Sequence, residues 1–189
     1  AALVTIFIWG TTFVSIKVLL KNFSPVEILF YRILLGFIVL LLIRPKIAAF
    51  KSVKEELKLM AAGICGITLF FIFQNTAISY THASNVGIIL SVAPFFTAIL
   101  SRLLLKDETL RLNFFAGFAI AMIGIILIAY NGNYILKLNP LGDLLAILSA
   151  MVWAVYSILL KKIGETQSDT LQITQRVFFY GLLFLAPFL

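Results

Sequence analysis

Charge is scarce in this chain. Of 189 residues, 15 are Lys or Arg and 8 are Asp or Glu. Residues 59–101 contain no charged side chain, and neither do residues 112–136. There is one cysteine, so no disulfide framework and no thiolate metal cluster can form. There is one histidine, His82, and no carboxylate at mid-depth in any apolar run. An intramembrane hydrolase or transferase needs a nucleophile with a base, or metal ligands, within reach. This chain has too few candidates, and the expectation is that it is not an enzyme and holds no metal or cofactor. Proton-coupled carriers use ionisable groups at mid-membrane; here coupling would have to come from elsewhere, or transport would be facilitated.

What fills the chain instead is apolar. Hydrophobic residues make up 62%, and mean hydropathy is +1.09. A soluble domain of this size cannot bury that much, whereas about 20 apolar residues in a helix cross a bilayer. Residues 59–101 have room for two crossings and 112–136 for one. The full reading is an all-α, polytopic helical bundle with about seven spans: 1–20, 26–43, 59–80, 84–105, 112–130, 144–160 and one beginning near 170. Residues 47–58, with Lys51, Lys54, Glu55, Glu56 and Lys58, read as a short interfacial helix. Asp143 is expected to cap the sixth span. The chain starts without Met and stops inside an apolar run, so it reads as part of a longer protein.

Net charge is +7, which in a soluble protein would suggest nucleic acid. Here the cations sort by loop. Arg44, Lys46, Lys51, Lys54 and Lys58 follow the second span, Arg102, Lys106 and Arg111 the fourth, and Lys161 and Lys162 the sixth. All ten fall on one face, and only Lys17, Lys21 and Lys137 fall on the other. The rich face is cytoplasmic by the positive-inside rule, which puts the N-terminus inside and the hairpin around His82 outside. The expected setting is the cell (inner) membrane, with lipid as partner and no nucleic acid.

The two tryptophans, Trp9 and Trp153, stand 144 positions apart. At that offset Lys17 meets Lys161, Ser24 meets Ser168, and Arg32 meets Arg176. Five spans separate the copies. Five is odd, so the second copy enters the membrane from the opposite side. Inverted repeats characterise secondary transporters.

Polar groups inside the spans are the candidates for a substrate cavity: Trp9 and Thr12 in the first, Gln74, Asn75 and Tyr80 in the third, Asn85 and Ser91 in the fourth, Trp153 and Tyr156 in the sixth. Amides in hydrocarbon need partners, so these either hydrogen-bond between helices or face a wet cavity. The fourth span carries a stripe of small residues, Ser84, Gly87, Ser91, Pro94, Ala98 and Ser101, suited to close helix packing. Pro94 removes a helix hydrogen bond and marks a kink that could gate. Arg32 lies two turns into the second span and must snorkel or pair; Glu27, Lys17 and Lys21 are its sequence neighbours. Glu108 reads as a turn residue or gate partner. Arg32 and Glu108 are therefore taken as topology or ion-pair anchors.

Together these pieces resemble the drug/metabolite transporter superfamily in its EamA-type branch. The residues that carry the resemblance are Trp9-Gly10-Thr11-Thr12-Phe13, Ser24-Pro25 followed by Arg32, and the hairpin from Ala77 to Ser84. Pro94, the turn Lys106-Asp107-Glu108-Thr109-Leu110, Gly117 with Gly124, and Gly142-Asp143 leading to Trp153-Ala154 complete the set. Ala154 replaces the glycine at Gly10, and Asp169 replaces the proline at Pro25. The resemblance implies ten helices in two inverted five-helix repeats. Residues 1–130 would be the first repeat, 131–141 a connecting loop, and 142–189 the start of the second. It also implies a permease exporting small metabolites, amino acids or related compounds, by alternating access through a central cavity lined by spans 1, 3, 4 and 6. The other reading is a non-transporting scaffold or sensor. Substrate, coupling ion and homo-oligomerisation stay open.

Overall fold

A computed structural model describes residues 2–45, 52–105, 112–131, 139–165 and 169–189. Every regular element among them is helical. The chain runs α1 (Ala2–Leu19), α2 (Pro25–Ile43), α3 (Val53–Gly63), a π-helical segment (Ile64–Leu69), α4 (Phe70–Tyr80), α5 (Ala83–Leu90), α6 (Ala93–Leu105), α7 (Leu112–Asn131), α8 (Pro140–Gly164) and α9 (Thr170–Leu185). Among the described residues, four helical stretches are long and apolar enough to cross a membrane: Pro25–Ile43, Val53–Tyr80, Ala83–Leu105 and Pro140–Gly164. The protein is an all-α polytopic membrane protein. Lipid offers the backbone no hydrogen-bond partners, so each crossing must satisfy its own N–H and C=O groups, and a helix does this.

Polar residues set where the helices start. Ser24 and Glu27 form a reciprocal capping box at α2, with Pro25 in the first turn where no N–H is needed. Ser52 caps α3 and Asp169 caps α9. At α8 the cap is Asn139, which accepts from Gly142 N–H. Asp143, expected to be the cap, instead accepts the backbone N–H of Asn139. Pro140 in the first turn moves the helix start four residues ahead of the expected one.

The stretch 53–58 is not a separate interfacial helix. It continues through the π segment into α4, making one 28-residue crossing. This crossing is the most buried of the four and stands at the centre of the bundle. On one side α8 lies along α4; on the other α9 lies along α3 and the π segment, with α2 beside both. One apolar cluster joins Leu29, Ile33, Leu59, Ala62, Ile67, Ile163, Ile173, Val177 and Leu185. A second joins Ile16, Ile28, Ala77, Ile78, Val86 and Ala146 at the other end. The outward faces of α1 and α2 remain apolar and exposed (Leu3, Phe7, Val14, Leu35, Leu42), as lipid contact requires.

Candidate functional site

The crossing of α3–α4 with α8 and α9 is built on glycine. A methyl group at Gly63 would meet Tyr180 Cβ at 2.7 Å and the Val177 carbonyl oxygen at 2.9 Å. At Gly66 it would strike the Tyr156 ring, and at Gly181 the Ile67 side chain. Small residues let backbones approach this closely and collect dispersion contacts. The π segment adds to the join. Its end is marked by Phe70 N–H donating five residues back to Cys65 C=O. Thr68 Oγ1 donates to Gly181 C=O at 3.1 Å, and Ser149 Oγ donates to Phe70 C=O at 3.0 Å. Both bonds are buried and both span helices distant in sequence.

Aromatic rings gather at the same level. Phe70 lies against Trp153, ring centroids 4.6 Å apart, and Trp153 against Tyr156 at 5.1 Å. Gln74 follows Phe70 by one turn on the same face of α4 and is 4% exposed. Beside Trp153 a cleft of about 410 Å³ opens between α6 and α8. Pro94, Thr97, Ala98 and Ser101 line it from α6; Trp153, Ser157, Ile158 and Lys161 line it from α8. Small-molecule sites fall in this volume range and combine an apolar wall with a few polar groups. The helix break that shapes the α6 wall lies at residues 91–92, with Pro94 in the first turn of α6.

Of the residues singled out from sequence, Trp153 and Pro94 line the cleft, and Tyr156 and Gln74 lie in or next to the aromatic group. The others that the structure describes sit elsewhere. Ser91 Oγ donates to Ile88 C=O at 2.5 Å and touches Met122 Sδ, so it faces α7. Asn75 Nδ2 donates to Pro25 C=O at 3.1 Å and ties α4 to α2. Asn85 donates to Thr81 Oγ1, and Tyr80 is exposed. Thr12 donates to Ile8 C=O within α1. Trp9 stands on α1, but its side chain lies outside the described residues, as do Glu108 and the loop 132–138.

Arg32 is separated from its sequence neighbours. Its guanidinium carbon lies 4.1 Å above the centre of the Phe71 ring. Glu27 is engaged by Ser24, and Lys17 Nζ donates to Ile78 and Thr81 carbonyls at 2.6 and 3.2 Å, closing the C-terminal end of α4. Asn139 Nδ2 donates to the neighbouring Tyr80 C=O at 3.0 Å.

Sequence reasoning missed the polar cluster at the opposite end. Glu56 is buried and accepts from Arg176 Nη2 and Tyr180 Oη. Arg44 pairs with Asp169. Gln175 Nε2 donates to the carbonyls of Leu40 and Arg44 at 2.9 and 2.6 Å, closing the C-terminal end of α2. The available signal was the capping pattern Ser52-x-x-Glu55, which starts α3 early enough to carry Glu56 into the bundle.

A bundle of this kind, with helix crossings built on small residues and a cleft between two spans, defines a polytopic carrier-like membrane protein. Comparison with known proteins makes the assignment: the chain belongs to the EamA-like transporter family, whose model matches residues 1–130. An uncharacterized transporter of Archaeoglobus fulgidus is 32% identical over 188 residues, covering 97% of this chain and 64% of the relative. Probable amino-acid metabolite efflux pumps of Salmonella typhimurium and Escherichia coli are 30% and 29% identical, over 61% and 60% of their own lengths. The chain thus spans 60–64% of the length of these three relatives. No solved structure matches it.

Proposed function

We propose that this chain belongs to a permease that exports small organic metabolites, amino acids or related compounds, by alternating access. The observation that carries the reading is the cleft between α6 and α8. By the offset of 144 residues, α6 belongs to a first repeat and α8 opens a second, inverted one. A cavity at a repeat interface is where transporters of this architecture hold substrate while one repeat rocks against the other. The Trp153 ring offers an apolar wall, Thr97, Ser101 and Ser157 offer hydroxyls, and Lys161 supplies a cation at the edge suited to a carboxylate. The relatives named as amino-acid metabolite efflux pumps favour that substrate class and the outward direction. The loop cations favour a cytoplasmic N-terminus in the cell membrane.

The test is an efflux assay on the whole transporter in cells stripped of competing exporters and loaded with inhibitory amino acids. Trp153→Ala and Ser157→Ala should each slow export while leaving the amount of protein in the membrane unchanged. Full export by both variants would overturn this assignment of the cavity.

A further inference from the structure

We propose that Arg32 is half of a further interhelical ion pair, the counterpart of Glu56–Arg176, whose carboxylate comes from a helix outside these 189 residues. The inference rests on the inverted-repeat reading above.

Three observations lead to it. Arg32 Nη2 is buried and has no hydrogen-bond partner among the described residues. The Phe71 ring covers one face of the guanidinium, but a ring face accepts none of the in-plane N–H donors. Four of the six described carboxylates are committed elsewhere: Glu27 to Ser24, Glu56 to Arg176 and Tyr180, Asp143 to Asn139, Asp169 to Arg44. The other two, Glu55 in the first turn of α3 and Glu165 at the C-terminal end of α8, do not reach Arg32 Nη2 either. A guanidinium edge left this way in a membrane calls for an acceptor.

The repeat says which acceptor. At the offset of 144 residues Arg32 corresponds to Arg176. Arg176 has a partner, Glu56, the fourth residue of α3. Arg32 lies seven residues beyond Pro25 and Arg176 six beyond Thr170, so each sits about 10 Å into its helix. The Arg176–Glu56 pair therefore joins the second helix of the later copy to the third helix of the earlier one. Exchanging the two copies joins Arg32 to a carboxylate in the first turns of the later copy's third helix, near the opposite membrane face. The relatives are long enough to contain such a helix, since the chain covers only 64% of the Archaeoglobus relative.

The experiment uses the full-length transporter. Arg32→Glu should reduce the amount of folded protein in the membrane several-fold. Reversing one carboxylate to Arg in the first two turns of the helix that follows α9 should restore it. In a full-length background with Cys65→Ser and any cysteine beyond these 189 residues also changed to Ser, Arg32→Cys combined with cysteine at that same carboxylate should form a disulfide under mild oxidation. Absence of a carboxylate in those two turns overturns the proposal, as does failure of both rescue and disulfide. If Arg32→Gln changes the KM for exported solute and no disulfide forms, Arg32 binds substrate and the ion pair is refuted. Labelling that places α1 and α8 in opposite orientations, together with a negative result here, would remove the ion pair alone and leave the repeat standing.

Discussion

Glu56 and Arg176 are paired across the α3–α9 interface with each side chain only 10% exposed. Their attraction has to offset the removal of two charges from water, so the pair adds little net stability compared with apolar residues of the same size. Losing one partner is a different matter, because the other charge stays buried. Glu56→Gln should therefore cost about 3–5 kcal/mol. Tyr180 Oη, which also donates to Glu56, would lose its charged acceptor as well. The double variant Glu56→Leu/Arg176→Leu should recover most of the loss. Thermal unfolding of the detergent-solubilised protein, followed by size-exclusion profile, reads both. A double variant no better than the single one would mean that the pair itself carries the stability.

The glycine crossing gives a second prediction. At Gly181 an added methyl would meet Ile67 Cβ and Cγ2 at 2.5 Å, against a backbone that is itself packed. Gly181→Ala should therefore destabilise the bundle by about 1–3 kcal/mol through overpacking. Gly117 has open space around the same added atom. Gly117→Ala removes a helix-weakening residue without collision and should be neutral or mildly stabilising. The pair of variants separates close approach from helix propensity in one melting experiment.

The third prediction uses Trp153 as a reporter. These 189 residues hold two tryptophans, so Trp9→Phe, with any tryptophan elsewhere in the whole transporter also changed to Phe, leaves Trp153 as the sole indole. Its ring sits between Phe70 and Tyr156 and borders the cleft. Adding an amino acid that the whole transporter exports should shift or quench its emission in a saturable way. Gly66→Ala, which pushes on the Tyr156 ring, should alter the emission before any solute is added. An indole indifferent to both would place substrate away from the α6–α8 cleft.

The fold was largely legible because its dominant signal is additive. Long uncharged runs and capping residues such as Ser24 with Glu27 act locally and need no knowledge of neighbours. The site was less legible. Gln74 and Asn75 are adjacent in sequence and looked equivalent, yet one lies on the helix face that carries Phe70 and the other holds Pro25 C=O. A helix turns about 100° per residue, so adjacent polar residues seldom share a destination. The small-residue stripe divides its contacts at the break at residues 91–92: Ser91 meets α7, as close helix packing implies, while Ala98 and Ser101 line the cleft. The sequence puts Glu56 on an interfacial helix because its neighbours Lys54, Glu55 and Lys58 set the local composition. Only its partners on α9, 120 and 124 positions away, show why it is inside.

The last prediction concerns direction. Leu3, near the start of α1, is 84% exposed, and Leu141, in the first turn of α8, is 50% exposed. Both helices run from these residues toward Lys17 and Lys161, which correspond under the offset of 144. If the copies are inverted, the two starting points lie on opposite faces. In a background with Cys65→Ser and any cysteine beyond these 189 residues also changed to Ser, Leu3→Cys should react with a membrane-impermeant maleimide only after the cells are opened, and Leu141→Cys should react in intact cells. Lys17 already reports the arrangement from within the bundle. It donates to the carbonyls that end α4, and α4 ends where α8 begins, since Asn139 donates to Tyr80 C=O. The C-terminal end of α1 and the N-terminal end of α8 thus meet at one side of the bundle, which requires the two helices to run antiparallel. Equal reactivity of the two cysteines in intact cells would break that requirement, and with it the rocking of one repeat against the other.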